Sequence, residues 1–101
     1  MQLKPGSRYR SNTCAGEFVV VKAPADDVDL RCGGVAVVSI DEPGGAGTPA
    51  APFNEGTMVG KRYTDEGETL ELLITKAGDG SLSVGDAAMV VKGAKPLPSS
   101  D

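Results

Sequence analysis

The chain has no histidine and no tryptophan, and only two cysteines among its 101 residues. Without an imidazole there is no Ser-His-Asp or Cys-His catalysis, no histidine general base and no histidine metal ligand. The only aromatics are Tyr9, Phe18, Phe53 and Tyr63, so Val, Leu, Ile and Ala must fill any core. Positive charge is sparse: 10 Lys and Arg stand against 14 Asp and Glu, a net charge of -4, and no three basic residues run together. A nucleic-acid binder needs a basic stripe to displace counterions. Arg8-Tyr9-Arg10 and Lys61-Arg62-Tyr63 come nearest, and both are expected to be solvated strand ends. No nucleic-acid partner is expected. No apolar run approaches the ~20 residues that span a bilayer, so no membrane partner is expected either. The opening Met1–Gly6 lacks the apolar stretch of a secretory signal. The expectation is a cytoplasmic chain, in which cysteines are more often thiols or ligands than a permanent disulfide.

Turn formers are abundant, with 14 Gly and 7 Pro. No window carries an apolar i, i+3, i+4, i+7 stripe between caps, so no substantial helix is expected. Strand signals are clearer. Glu17–Lys22, Asp29–Cys32, Val35–Ile40, Leu70–Thr75, Ser81–Val84 and Ala87–Val91 are the candidates. Gly33-Gly34 and Gly85-Asp86 each separate two of them by two residues, the spacing of a tight hairpin. Residues 41–54, DEPGGAGTPAAPFN, have the composition of a linker, and residues 95–101 that of a flexible tail.

The two halves match each other. Shifting by 54 places Gly6, Arg8, Tyr9, Glu17, Lys22 and Ala23 on Gly60, Arg62, Tyr63, Glu71, Lys76 and Ala77. After a gap of two near Pro24-Ala25, shifting by 52 places Asp27, Leu30, Gly33, Ala36 and Val38 on Asp79, Leu82, Gly85, Ala88 and Val90. A unit of about three strands is marginal alone, but two can bury their apolar faces on each other. The expected architecture is therefore all-β. Two tandem antiparallel units, residues 1–40 and 55–94, pack about a pseudo-twofold axis and are joined by 41–54.

Both cysteines, Cys14 and Cys32, lie in the first unit. Their surroundings are Tyr9-Arg10-Ser11-Asn12-Thr13-Cys14-Ala15-Gly16, a β segment, Leu30-Arg31-Cys32-Gly33-Gly34 and the apolar pair Val37-Val38. This pattern resembles the desulforedoxin type of rubredoxin-like metal unit. There a Tyr precedes a Cys-x-x-Cys-Gly knuckle, and Leu-x-Cys-Cys-Gly follows a strand. The resemblance covers about residues 8–38, and 62–90 more faintly. It implies a small all-β metal fold that pairs as a twofold dimer. The departures are plain. The four ligand positions read Ser11, Cys14, Cys32 and Gly33 in the first copy, and Asp65, Glu68, Val84 and Gly85 in the second. A tetrahedral iron or structural zinc site wants four nitrogen or sulfur ligands, and two thiolates in one chain do not supply them.

Three readings of Cys14 and Cys32 stay open. They are buried remnants, a disulfide, or metal ligands in a site completed by a second chain or by Asp26, Asp27 or Asp29. The acidic group lacks the spacing of a calcium loop. Gly44-Gly45-Ala46-Gly47 lacks the Lys-Ser/Thr of a phosphate loop. Glu17 and Glu71 are equivalent acids that acid–base chemistry would need to bring together. The expected function is a non-enzymatic small accessory or binding module with a lost or halved thiolate metal site and no cofactor. The alternative is a redox or metal protein using Cys14 and Cys32, with Fe or Zn shared between chains. The expected assembly is a monomer or homodimer, with room for a protein partner.

Overall fold

The computed structural model describes residues 2–45, 47–65 and 67–92. The tail at 95–101, and the end of the 55–94 segment, lie outside the described residues. Among these residues the chain is all-β, with no helix. The first half carries β1 (Arg8–Arg10), β2 (Glu17–Lys22), β3 (Leu30–Cys32), β4 (Val35–Ala36) and β5 (Val38–Ser39). The second carries β6 (Arg62–Thr64), β7 (Glu71–Lys76), β8 (Leu82–Val84), β9 (Ala87–Ala88) and β10 (Val90–Val91). They form two antiparallel sheets, one of six strands in the order β10-β6-β7-β2-β1-β5 and one of four in the order β4-β3-β8-β9.

Period-two alternation sets the inner faces. In β2, Phe18 and Val20 point inward; in β7, Leu72 and Ile74 do. The β2–β7 register pairs Phe18 with Ile74 and Val20 with Leu72, which places these four side chains together at the centre of the large sheet. Leu30, Cys32 and Leu82 from the small sheet join the same core, closed by Val28, Val37, Leu70 and Met89. Each such aliphatic or aromatic side chain stabilises by about 1.5–3 kcal/mol on leaving water. That term is what opposes the chain entropy of a fold with such short strands.

Two expected strands are broken in two. Val35–Ile40 divides at Val37, and Ala87–Val91 divides at Met89. The Val37 N–H donates to the Leu30 carbonyl at 3.2 Å, and the Met89 N–H to the Leu82 carbonyl at 3.0 Å. Beyond each pivot the chain leaves the small sheet and pairs in the large one, β5 on β1 and β10 on β6. Burial of the pivot side chain between the sheets is the physical reason for the break. The Arg-Tyr clusters are more than solvated ends. They form β1 and β6, and Tyr63 is buried with its hydroxyl accepting the Met58 N–H at 3.3 Å.

Residues 41–54 do not hang free. The Gly45 N–H donates to Asn12 Oδ1 at 2.7 Å, and the Asn12 side-chain amide donates to the Ala36 carbonyl at 2.7 Å. The Ala50 N–H donates to the Gly33 carbonyl at 3.1 Å, and the Ser81 N–H to the Phe53 carbonyl at 2.8 Å. The segment is a strap laid over the β1–β2 connection and the β3–β4 turn, then tied to the second half.

Candidate functional site

The β1–β2 connection, Ser11–Gly16, is a closed knuckle. The Ser11 N–H donates to the Gly16 carbonyl at 2.9 Å. The Ser11 hydroxyl oxygen accepts the N–H groups of Thr13 at 2.9 Å and Cys14 at 3.2 Å. Three residues on, Cys14 Sγ accepts the N–H groups of Gly16 and, from the second half, Gly80, each at 3.4 Å. The Thr13 hydroxyl donates to the Cys32 carbonyl at 3.1 Å, which fixes the knuckle to β3. The Ser11 and Thr13 hydroxyl oxygens lie 3.1 Å apart.

Cys32 comes in from β3 on the inner face of the small sheet and is 1 % exposed, whereas Cys14 is half-buried. The two thiols are unbonded, and both stand against Gly80, whose N–H donates to Cys14 Sγ and whose Cβ position lies 3.1 Å from Cys32 Sγ. Their environments push them in opposite directions. Burial raises the Cys14 thiol, but hydrogen bonds from Ser11, the Gly16 and Gly80 amides and Cys32 outweigh it and hold the thiol below its ordinary value. Burial dominates at Cys32, and with the neighbouring Cys14 charge it outweighs the Ser11 hydrogen bond and pushes the thiol up to about 12.

Glycines of the second half cover the pair. A Cβ on Gly78 would lie 2.5 Å from Cys14 Sγ, and one on Gly80 would lie 3.1 Å from Cys32 Sγ. Gly78-Asp79-Gly80 is a turn by sequence. Its seat on the thiols is a long-range contact, and the doubled glycine was the only sign that another backbone approaches there.

Four-ligand metal binding does not fit this donor set within one chain. Ser11, where the resembled unit would have a ligand, offers an oxygen that already accepts two N–H groups. At the Gly33 position there is no room: a side chain there would run into the Thr13 hydroxyl and Pro49. Among the described residues no three His, Cys, Asp or Glu side chains gather to hold a metal ion.

The acidic residues are elsewhere. Asp26, Asp27 and Asp29 border a cleft of about 450 Å³ with Asp65, Thr69 and Gly85, at the opposite end of β3 from Cys32. Asp29 is ion-paired with Arg31 at 2.8 Å. Asp65 is engaged in its own turn, its Oδ1 accepting the N–H groups of Thr69 at 2.7 Å and Leu70 at 3.1 Å. These carboxylates therefore do not complete a cysteine site.

No protein-family model, curated protein or solved structure matches the chain.

Nor do Glu17 and Glu71 meet. Antiparallel pairing of β2 and β7 sets Glu17 opposite Lys76 and Glu71 opposite Lys22, at the two ends of the strand pair. Five residues of strand separate them, roughly 16 Å. Glu71 is buried between two cations, Lys92 Nζ at 2.7 Å and Arg62 at 3.3 Å. The Lys92 hydrogen bond, with Arg62 and Lys22, holds its carboxyl below the ordinary 4.5. A depressed carboxylate stabilises the fold above its unfolded pKa, and the contribution is lost as pH falls through the folded one. Glu71→Gln is expected to cost about 1 kcal/mol at neutral pH, since both cations are half-exposed and screened. Urea unfolding at pH 7 and at pH 3 should show wild type and variant converging in acid.

Proposed function

We propose that the chain is a non-enzymatic accessory or binding module built from two desulforedoxin-like units in tandem, one of which keeps half of a thiolate site. The strand bounds support the tandem. Shifting β1 and β2 by 54 gives β6 and β7, and shifting β3, β4 and β5 by 52 gives β8, β9 and β10. The pairing across the centre is self-complementary. Phe18–Ile74 becomes Val20–Leu72 when the halves are exchanged, and Leu30–Val84 becomes Cys32–Leu82, as a pseudo-twofold axis requires. Backbone bonds recur as twins: Gly6 N–H to Val20 O and Gly60 N–H to Ile74 O, Ile40 N–H to Arg8 O and Lys92 N–H to Arg62 O.

The observation that carries the halved site is the knuckle. Ser11 Oγ receives the two N–H groups that a knuckle sulfur would take, while Cys14 and Cys32 stand together and Gly33 is walled in by Thr13 and Pro49. Two sulfurs remain where four ligands would be needed. A site shared between chains would have to reach Cys32, which is 1 % exposed. Elemental analysis and thiol titration of protein purified without chelator test the proposal. The expected result is substoichiometric Fe and Zn with two titratable thiols per chain. One tightly held Fe or Zn per one or two chains would overturn it.

A further inference from the structure

We propose that Cys14 and Cys32 form a dithiol that exchanges reversibly with an external disulfide, Cys14 attacking first and Cys32 resolving. The proposal rests on the halved-site reading, in which no metal competes for the sulfurs. Both sulfurs stand against one residue. The Gly80 N–H donates to Cys14 Sγ at 3.4 Å, and a Cβ on the same glycine would lie 3.1 Å from Cys32 Sγ. The thiols are unbonded and share Gly80 as a neighbour, although 17 residues lie between them in the chain.

Access divides the roles. Cys14 is half-buried at the knuckle, with the Gly16 and Gly80 amides aimed at its sulfur. Amide donors of this kind stabilise a thiolate and the departing sulfur of a disulfide alike. Cys32 is 1 % exposed behind it, so the sulfur it can reach is that of Cys14. The cover over Cys14 comes from Gly16, Gly78 and Gly80, which have no side chains to close it. A partner disulfide therefore meets Cys14 first.

The exchange balances. The Cys14 thiolate attacks one sulfur of R–S–S–R, forming Cys14–S–S–R and expelling RS⁻, which takes up the proton Cys14 gave to solvent. Cys32 then loses its proton and attacks Cys14 Sγ, and the second RS⁻ leaves and is protonated. Two protein S–H groups and one R–S–S–R become one protein S–S bond and two R–S–H. Reduction by a dithiol reverses each step.

The test uses the full chain, reduced, treated with chelator and equilibrated across a series of oxidised-to-reduced glutathione ratios. Samples are quenched by alkylation and mapped by mass spectrometry. The expected product is a Cys14–Cys32 disulfide, seen as the loss of both alkylation sites. Cys32→Ser should accumulate glutathione on Cys14. Cys14→Ser should acquire it on Cys32 at least about tenfold more slowly. Should either variant fail to fold, native wild-type alkylation rates give the same order, Cys14 ahead of Cys32. A metal-free, folded chain that keeps both thiols at the most oxidising ratio overturns this proposal and leaves the halved site standing. So does a Cys32 that reacts first. Metal that survives the chelator overturns the halved-site reading and this proposal with it.

Discussion

Gly33→Cys is expected to destabilise the chain by about 2–5 kcal/mol and to restore no metal site. It places a thiol at the fourth ligand position of the resembled unit, so recovery of metal binding would be the hopeful outcome. Two costs oppose it. Gly33 has φ +68, a left-handed conformation that costs a side-chain-bearing residue roughly 1–2 kcal/mol. The new Cβ would also run into the Thr13 hydroxyl and Pro49, and overpacking of this kind adds about 1–3 kcal/mol. Thr13 cannot simply rotate away, because its hydroxyl donates to the Cys32 carbonyl and meets Ser11. Ser11→Cys is the contrasting change. It puts sulfur where the Thr13 and Cys14 amides already converge, and it should stay within about 1 kcal/mol of wild type. Urea midpoints and a cobalt titration read both variants. Adding Thr13→Ala to Gly33→Cys should recover part of the loss, so the double variant falls short of the summed costs. A Gly33→Cys chain as stable as wild type that also takes up cobalt would sink the halved-site reading.

The long strands were legible because their alternation is local. Glu17–Lys22 reads as an apolar run between polar ends and forms β2 with those bounds; Ser81–Val84 reads as a strand between turn formers, and β8 forms one residue shorter, over Leu82–Val84. The splitting of Val35–Ile40 and Ala87–Val91 was not legible. A continuous apolar run says nothing about which of two sheets each residue joins, and only the packing of Val37 and Met89 between the sheets decides it. The site shows the same division. Composition could not bring Cys14 and Cys32 together; it is the seat of Gly80 in the fold that sets both sulfurs against one residue. The strap was misleading for a physical reason. Gly and Pro mark a flexible tether, yet they also let backbone approach backbone, and Gly45 and Gly47 use that freedom to bond Asn12. Thr13, which leaves no room for a side chain at Gly33, carries no sequence signal, since its effect depends on a glycine 20 residues away.

Gly78→Ala should cost about 3 kcal/mol and speed alkylation of Cys14 several-fold. The added methyl would lie 2.5 Å from both Cys14 Sγ and the Gly16 nitrogen and 2.9 Å from Gly16 Cα. Two of these three atoms are backbone, so no rotamer change relieves the contact, and the cost falls at the top of the ~1–3 kcal/mol range for overpacking. The loop cannot retreat freely. Its other side is clamped to Thr57, whose N–H donates to the Gly78 carbonyl at 3.0 Å and whose hydroxyl accepts the Gly78 N–H at 3.3 Å. Either the loop lifts, taking the Gly80 amide away from Cys14, or the knuckle gives way. Both outcomes expose Cys14. Gly67→Ala is the matched control, because a methyl there meets only Thr69 at an ordinary 3.7 Å, and it should leave stability and thiol reactivity alike. Stability comes from urea unfolding and reactivity from timed alkylation of the native chain. The two readouts should move together in Gly78→Ala. A stability loss with Cys14 reactivity unchanged would mean that the loop supports the fold without covering the thiol. A variant neutral in both would mean that the second half is not seated on the knuckle at all.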